Sequence, residues 1–129
     1  TSGANSIAQK AGVEALKGNQ DSVTMMVREF DKRRKYIVER LNKIKGISCL
    51  LPQGAFYAFP KVSDLYTKKI SGQSVTNSFD LVNLLLEKAH LAFVPGAPFG
   101  SDEYIRISYA TSMKNIEKGI DRFEKFLGS

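Results

Sequence analysis

Arg106 is the residue whose type and setting most directly suggest chemistry. It lies in the run Tyr104-Ile105-Arg106-Ile107-Ser108-Tyr109, where apolar and polar residues alternate. Such alternation reads as a strand, so Tyr104, Arg106 and Ser108 share one face and Ile105, Ile107 and Tyr109 the other. A guanidinium stays charged and offers a planar fork of donors that fits a carboxylate through two bonds. Just upstream runs Val94-Pro95-Gly96-Ala97-Pro98-Phe99-Gly100, a turn whose Gly and Pro fix unusual backbone angles. The pattern leaves two readings of Arg106. It either binds a ligand carboxylate or is a charge on a solvated or ion-paired sheet face, and charged strand residues usually face water.

The other chemistry-bearing side chains are few. Cys49 is the only cysteine and lies among apolar residues from Ile47 to Leu51, which suggests a buried, inert thiol. His90 is the only histidine and falls in a turn after a helix. One Cys and one His cannot form a His/Cys metal cluster. The lysines fall on helices or loops that read as solvated, where nothing would lower a pKa.

Stepping outward from Arg106, helices and short strands must position it. Ser6-Ile7-Ala8-Gln9 fits a capping box that opens a helix ending at Gly18-Asn19. Ala4, Ala8, Ala11 and Ala15 give that helix a face of small residues suited to close packing. Asp21 or Ser22 can cap a second helix with apolar positions at Val23, Met26, Val27, Phe30, Ile37, Leu41 and Ile44. Running to about Ile44, it would span roughly 36 Å, long enough to project beyond a small core or lie along another domain. Ile47 to Leu51 and Ala55 to Phe59 read as strands joined by a Pro52-Gln53-Gly54 turn, with Phe56 and Phe59 in the core. Ser63 to Thr76 reads as an exposed loop. Ser78 can cap a helix to about Lys88 with core residues Phe79, Val82, Leu85 and Leu86. Thr111 or Ser112 caps a last helix with Ile116, Ile120, Phe123 and Leu127 on one face, and Gly128-Ser129 is a frayed end. The fold expected is a two-layer α+β domain, with a small, mostly antiparallel sheet packed on helices.

The chain has 129 residues, 43% apolar and 25% charged, enough for one ordered domain with a real core. No apolar run reaches membrane-spanning length. A single cysteine fits a reducing compartment. The chain starts at Thr1 rather than Met, which fits a fragment or a processed chain. Nineteen Lys and Arg against thirteen Asp and Glu give a net charge of +6, which raises anionic partners, including nucleic acid. The densest basic run, Lys32-Arg33-Arg34-Lys35, is flanked by Glu29, Asp31 and Glu39 and reads as a solvated helix face. No nucleic-acid-binding signature accompanies it.

The central motif, PGxxFG followed by a short acidic spacer and R-x-S-x-A, resembles the C-terminal end of class I, aspartate aminotransferase-like enzymes that use pyridoxal phosphate (PLP; fold type I). Gln53-Gly54-Ala55-Phe56-Tyr57-Ala58-Phe59-Pro60 is similar to that family's P-x-G-A-F-Y-x-F segment. Thr1-Ser2 and Ser6-Ile7-Ala8-Gln9 resemble the stretch shortly after its PLP-binding lysine. The blocks occur in the family's order from Thr1 to about Leu127. The resemblance implies that residues 1–20 form a helix of a large domain otherwise missing here. It makes residues 21–129 the C-terminal small domain, with the long helix bridging the two.

It also implies roles. Arg106 would bind the α-carboxylate of the amino acid, with the Gly54 turn and, more weakly, Tyr57 close to the substrate. Ser108 and Tyr104 would support Arg106. The Schiff-base lysine, the acidic partner of the pyridine nitrogen and the phosphate cup precede Thr1 in the family. PLP would therefore belong to the full-length parent, and this chain would hold no cofactor and no catalytic residue of its own. The implied partners are an amino acid, a 2-oxo acid, the missing large domain and a second copy of a cytoplasmic, homodimeric parent, with no nucleic acid and no membrane. The rival reading is a non-catalytic basic module that binds anions or nucleic acid.

Overall fold

The computed structural model describes residues 2–66, 69–70 and 72–128. Helix α1 (Ser6–Lys17) is followed by the long α2 (Asp21–Leu41). Strand β1 (Tyr57–Ala58) comes next, then a 3-10 turn (Ser63–Leu65) and the hairpin β2 (Lys69–Ile70) and β3 (Gln73–Ser74). Helix α3 (Ser78–Leu84) runs into a π-helical turn (Leu85–Ala89). Strand β4 (Val94–Pro95), a 3-10 turn (Ala97–Phe99), β5 (Ile105–Ser108) and α4 (Met113–Leu127) complete the chain. The main sheet has the order β1-β5-β4, all antiparallel, so β5 is the central strand. This is the two-layer α+β arrangement expected.

The alternation in β5 does what a period of two requires. Ile105, Ile107 and Tyr109 are buried, whereas Arg106 is half-buried and Ser108 exposed. Their inner face meets Leu81, Leu85, Ile116, Ile120 and Phe123 in one apolar core shared by sheet and helices. The far end of α2 joins it through Ile37, Val38 and Leu41. Arg40 ties α2 to α4 by pairing with Asp121 at 2.8 Å and Glu124 at 2.9 Å, and Arg40 Nη1 also donates to the Tyr36 hydroxyl at 2.6 Å. These bonds hold the Arg40 guanidinium well above its ordinary pKa.

The two N-terminal helices differ from the rest. α1 contains no buried residue. Ile7 and Leu16 are 78% and 85% exposed, and Val23, Met26 and Val27 on α2 lie open as well. The apolar positions at Val23, Met26 and Val27 thus stay largely exposed, whereas Phe30 packs on Phe56 and the core.

Several local expectations are corrected. The cap of α1 is Asn5, whose Oδ1 accepts from the Ile7 and Ala8 amides; Gln9 instead donates to the Ala4 carbonyl. The α-helix α2 ends at Leu41 rather than near Ile44, and the chain tightens through i→i−3 bonds to Gly46, which adopts φ +86°. Ile47 to Leu51 is not a strand. Only Ser48 pairs, with Lys61, because Asn42 bonds both backbone groups of Cys49 with its side-chain amide.

The segment from Ser63 to Thr76 is not simply an exposed loop, since Leu65, Ile70 and Val75 are buried beneath its hairpin. Asn77, not Ser78, caps α3, and the inward stripe runs from Ser78 through Leu81, Val82 and Leu85. That rotation leaves Phe79 and Leu86 exposed. Phe56 is also half-exposed, resting on Phe30 with ring centroids 4.8 Å apart. Ser112 caps α4 by accepting from the Asn115 amide, as expected. Cys49 is buried, and burial pushes its thiol pKa up, in keeping with an inert thiol.

Because α1 contributes nothing to the core, removing residues 1–18 should shift the thermal midpoint by no more than about 4 °C, the equivalent of roughly 1 kcal/mol. It should also reduce self-association, because exposed apolar patches promote it. Circular dichroism melts and light scattering on the shortened chain test this. A fall of more than about 10 °C would mean that α1 stabilises this domain directly.

Candidate functional site: an arginine between two aromatic rings

Three strands and one turn converge on Arg106. Val94 of β4 lies opposite it in the antiparallel register. On the other side Tyr57 of β1 pairs with Ser108, which puts Tyr57 diagonal to Arg106 and within reach of it. The Tyr57 ring lies 4.5 Å from the Arg106 guanidinium carbon. The Phe99 ring, delivered by the turn after β4, lies at the same 4.5 Å. Both distances are within cation–π range.

What Arg106 lacks decides its reading. Four half-buried arginines occur among the described residues. Arg33 pairs with Glu29 at 3.0 Å, Arg34 with Asp31 at 2.6 Å, and Arg40 with two carboxylates. Arg106 has no carboxylate partner and no hydrogen bond among the described residues; only ring faces meet it. No buried side-chain nitrogen or oxygen there lacks a partner, so the unbonded nitrogens of Arg106 reach the surface. The ion-paired reading of Arg106 therefore fails, and the donor fork is free to take an external anion.

The turn that carries Phe99 is fixed by backbone contacts. The Gly96 amide donates to the Tyr104 carbonyl at 2.9 Å, and the Phe99 and Ser101 amides donate back to Gly96 at 2.8 and 3.2 Å. A Cβ on Gly96 would collide with the carbonyl oxygens of Ser101 and Tyr104, so the close approach demands glycine. Gly100 closes the turn at φ +77°.

Buried Ser78 anchors it from α3. Its amide and hydroxyl donate to Asp102 Oδ1 at 2.9 and 2.6 Å, while its Oγ accepts from the Ala97 amide at 3.3 Å. The Tyr66 hydroxyl donates to the Asp102 carbonyl at 2.6 Å. Burial, with the negative charge of Asp102 next, pushes the Tyr66 pKa up to about 12, so it stays a donor across the ordinary pH range.

The β1 side is held as firmly. The Tyr109 hydroxyl donates to the Ala55 carbonyl at 2.8 Å, and the Tyr109 amide donates to the Phe56 carbonyl at 2.9 Å. Ala55 itself adopts φ +61°, uncommon for a residue with a Cβ. Arg34 Nη1 donates to the Pro52 carbonyl at 2.7 Å, pinning the preceding loop to α2. One residue of the basic run thus has a structural use. Arg33 pairs with Glu29 while Arg34 and Lys35 share Asp31, so two carboxylates offset about half of the run's charge in place.

Of the residues singled out in the sequence, Arg106 and Tyr57 are brought together. Gly54 lies in the exposed turn before β1, and a Cβ there would meet no atom within 4 Å. Tyr104 acts at one remove. Its ring stacks on Phe59 at 5.0 Å, and Phe59 meets Phe99 edge-on at 6.5 Å. Ser108 Oγ accepts from the Ala110 amide at 3.2 Å and makes no contact with Arg106. Phe99 is the residue against Arg106 that sequence reasoning did not single out. Its signal was the aromatic position within PGxxFG.

The described lysines do not fit a Schiff-base role. All are exposed except half-buried Lys61, which pairs with Glu103 at 3.3 Å. That pairing raises the Lys61 pKa, opposite to what a nucleophilic amine needs. No three His, Cys, Asp or Glu among the described residues are grouped to hold a metal, and no helix among them is long and apolar enough to cross a membrane.

Fold and site together define an α+β domain whose central strand carries an arginine with no carboxylate partner among the described residues, set against two aromatic rings. The chain belongs to the aminotransferase class I and II family, whose model matches residues 1–123. It is 43% identical to an aspartate/prephenate aminotransferase of Nitrosomonas europaea, over 98% of this chain and 32% of that protein. Its fold matches an aspartate aminotransferase of Rhizobium meliloti with a TM-score of 0.91 and 38% identity, over 96% of this chain and 31% of the other. An alanine aminotransferase of Pyrococcus furiosus matches with a TM-score of 0.83 and 36% identity, over 96% and 30%. The chain thus spans about a third of the length of the relatives it matches.

Two glycines of the site should respond differently to one added methyl. Gly96→Ala should destabilise by about 1–3 kcal/mol, because backbone must move to admit it. Gly54→Ala should leave the melting curve unchanged, since the space is open. Thermal denaturation of both variants checks this; equal effects would mean that the turn at Gly96 is looser than its hydrogen bonds indicate.

Proposed function

We propose that this chain is the substrate-carboxylate arm of a longer PLP-dependent aminotransferase, one that moves an amino group between an amino acid and a 2-oxo acid. The observation that carries the proposal is the unpaired, ring-clamped guanidinium of Arg106. A half-buried charge normally has a partner. The sequence resemblance supports the α-carboxylate of the substrate as that partner. A two-bond fork would fix the substrate about its carboxylate and so orient the reacting carbon, which is where the catalytic value of such a contact lies. Tyr57 would hold one face of the guanidinium, and the open space around Gly54 would let substrate approach the backbone.

In this reading PLP supplies the electron sink in the full-length protein. The described lysines do not fit the Schiff-base role, so the chain alone would be inactive. Residues 1–20 would belong with a body outside this chain, which accounts for the bare apolar positions of α1 and early α2. Residues 21–129 would form the small domain. The parent would be a cytoplasmic homodimer. Relatives with similar folds are named for aspartate, prephenate and alanine, and an α-carboxylate is common to amino acids, so Arg106 does not select among side chains.

Arg106→Lys in the full-length protein keeps the charge but replaces the fork with a point contact. Loss of one charge-assisted hydrogen bond should lower kcat/KM roughly ten- to a hundredfold, from about 1.5–3 kcal/mol. Cofactor absorbance and thermal midpoint should barely change. Steady-state kinetics, spectra and melting curves on that variant test the proposal. Normal kinetics would contradict it.

A further inference from the structure

We infer that Phe99 is a positioning residue for carboxylate recognition: its ring, like that of Tyr57, lies against the Arg106 guanidinium and holds the donor fork in place for a ligand. This rests on Arg106 being the carboxylate ligand. The two ring distances are equal, at 4.5 Å. Ring faces are negative and ring edges positive, so a cation gains from both neighbours without a carboxylate of its own chain. Two ring contacts restrict the swing of the side chain, and a fork held still is what a carboxylate needs in order to accept two parallel N–H bonds.

The surroundings of Phe99 suit that role better than a packing role. Its ring is 50% exposed, so it adds little to the core. Its backbone is nevertheless set with care, by the Gly96 contacts and by Ser78, which is itself fully buried. Its outer side is braced by Phe59, stacked in turn on Tyr104. A half-exposed ring with so much support is better explained by what it touches than by what it buries.

The test compares Phe99→Leu, Phe99→Met and Phe99→Tyr in the full-length protein, with Arg106→Lys in parallel. Leu and Met keep apolar volume but lose the ring; Tyr keeps the ring. Leu and Met should each raise KM for the amino acid and for the 2-oxo acid by roughly 3- to 30-fold, the worth of one cation–π contact. The fall in kcat should be smaller, the melting point should stay in place, and Tyr should restore the native KM. An unchanged KM in both Leu and Met variants, beside a crippled Arg106→Lys, would overturn the inference while leaving Arg106 as the ligand. A lowered melting point with native KM would make Phe99 a packing residue and overturn it equally. Normal kinetics for Arg106→Lys would overturn the reading of Arg106 on which the inference rests.

Discussion

The Arg106 guanidinium is held by aromatic faces instead of carboxylates, and the rest of the domain answers to that constraint. A cation fixed by an ion pair has spent its donors. A cation held against the rings of Tyr57 and Phe99 keeps its N–H donors free of carboxylates among the described residues. The cost is geometric, because two rings from distant parts of the chain must arrive at one side chain. β1 brings Tyr57 through its register with β5. The turn between β4 and β5 brings Phe99. Buried Ile105, Ile107 and Tyr109 lock β5 to the core, so the arginine between them cannot drift. The helices serve the same end, with α3 anchoring the turn through Ser78 and α2 anchoring the β1 approach through Arg34.

The chain divides into a packed part and an unpacked part. From Ile37 onward the apolar positions of the main helices mostly find the common core. Before it, α1 and the first two turns of α2 carry apolar side chains that lie exposed. This matches a chain that covers about a third of its relatives' length. The arginine site lies in the packed part, on rigid elements, where its geometry does not depend on the unpacked helices.

Much of this was legible in the residues. The alternation across 104–109 gave β5 and its two faces, and the steps from Ile116 to Phe123 gave the buried face of α4. What was not legible depended on side chains that replace backbone partners. Asn42 bonds Cys49 and removes the need for a strand at 47–51. Ser78 is drawn inward by Asp102 and rotates the buried stripe of α3 away from Phe79. Both are contacts across distant or irregular chain, which periodicity does not report. The site was half legible for the same reason. Arg106 stood out by type and Tyr57 by motif, but the second ring required knowing how the 96–100 turn folds back. That no carboxylate among the described residues pairs with Arg106 could be seen only in three dimensions.

The central claim is that the free fork of Arg106 reads a carboxylate. It is tested most directly in the full-length protein by the binding preference for an amino acid over the matching amine that lacks the carboxylate. That preference is to be measured for the native protein and for Arg106→Met, which keeps an apolar stem and removes the charge. The account predicts a native preference of roughly ten- to a hundredfold or more, as expected of charge-assisted bonds. It predicts that Arg106→Met abolishes the preference while amine affinity is unchanged. A variant that still favours the amino acid by the native margin would show that the carboxylate is read elsewhere.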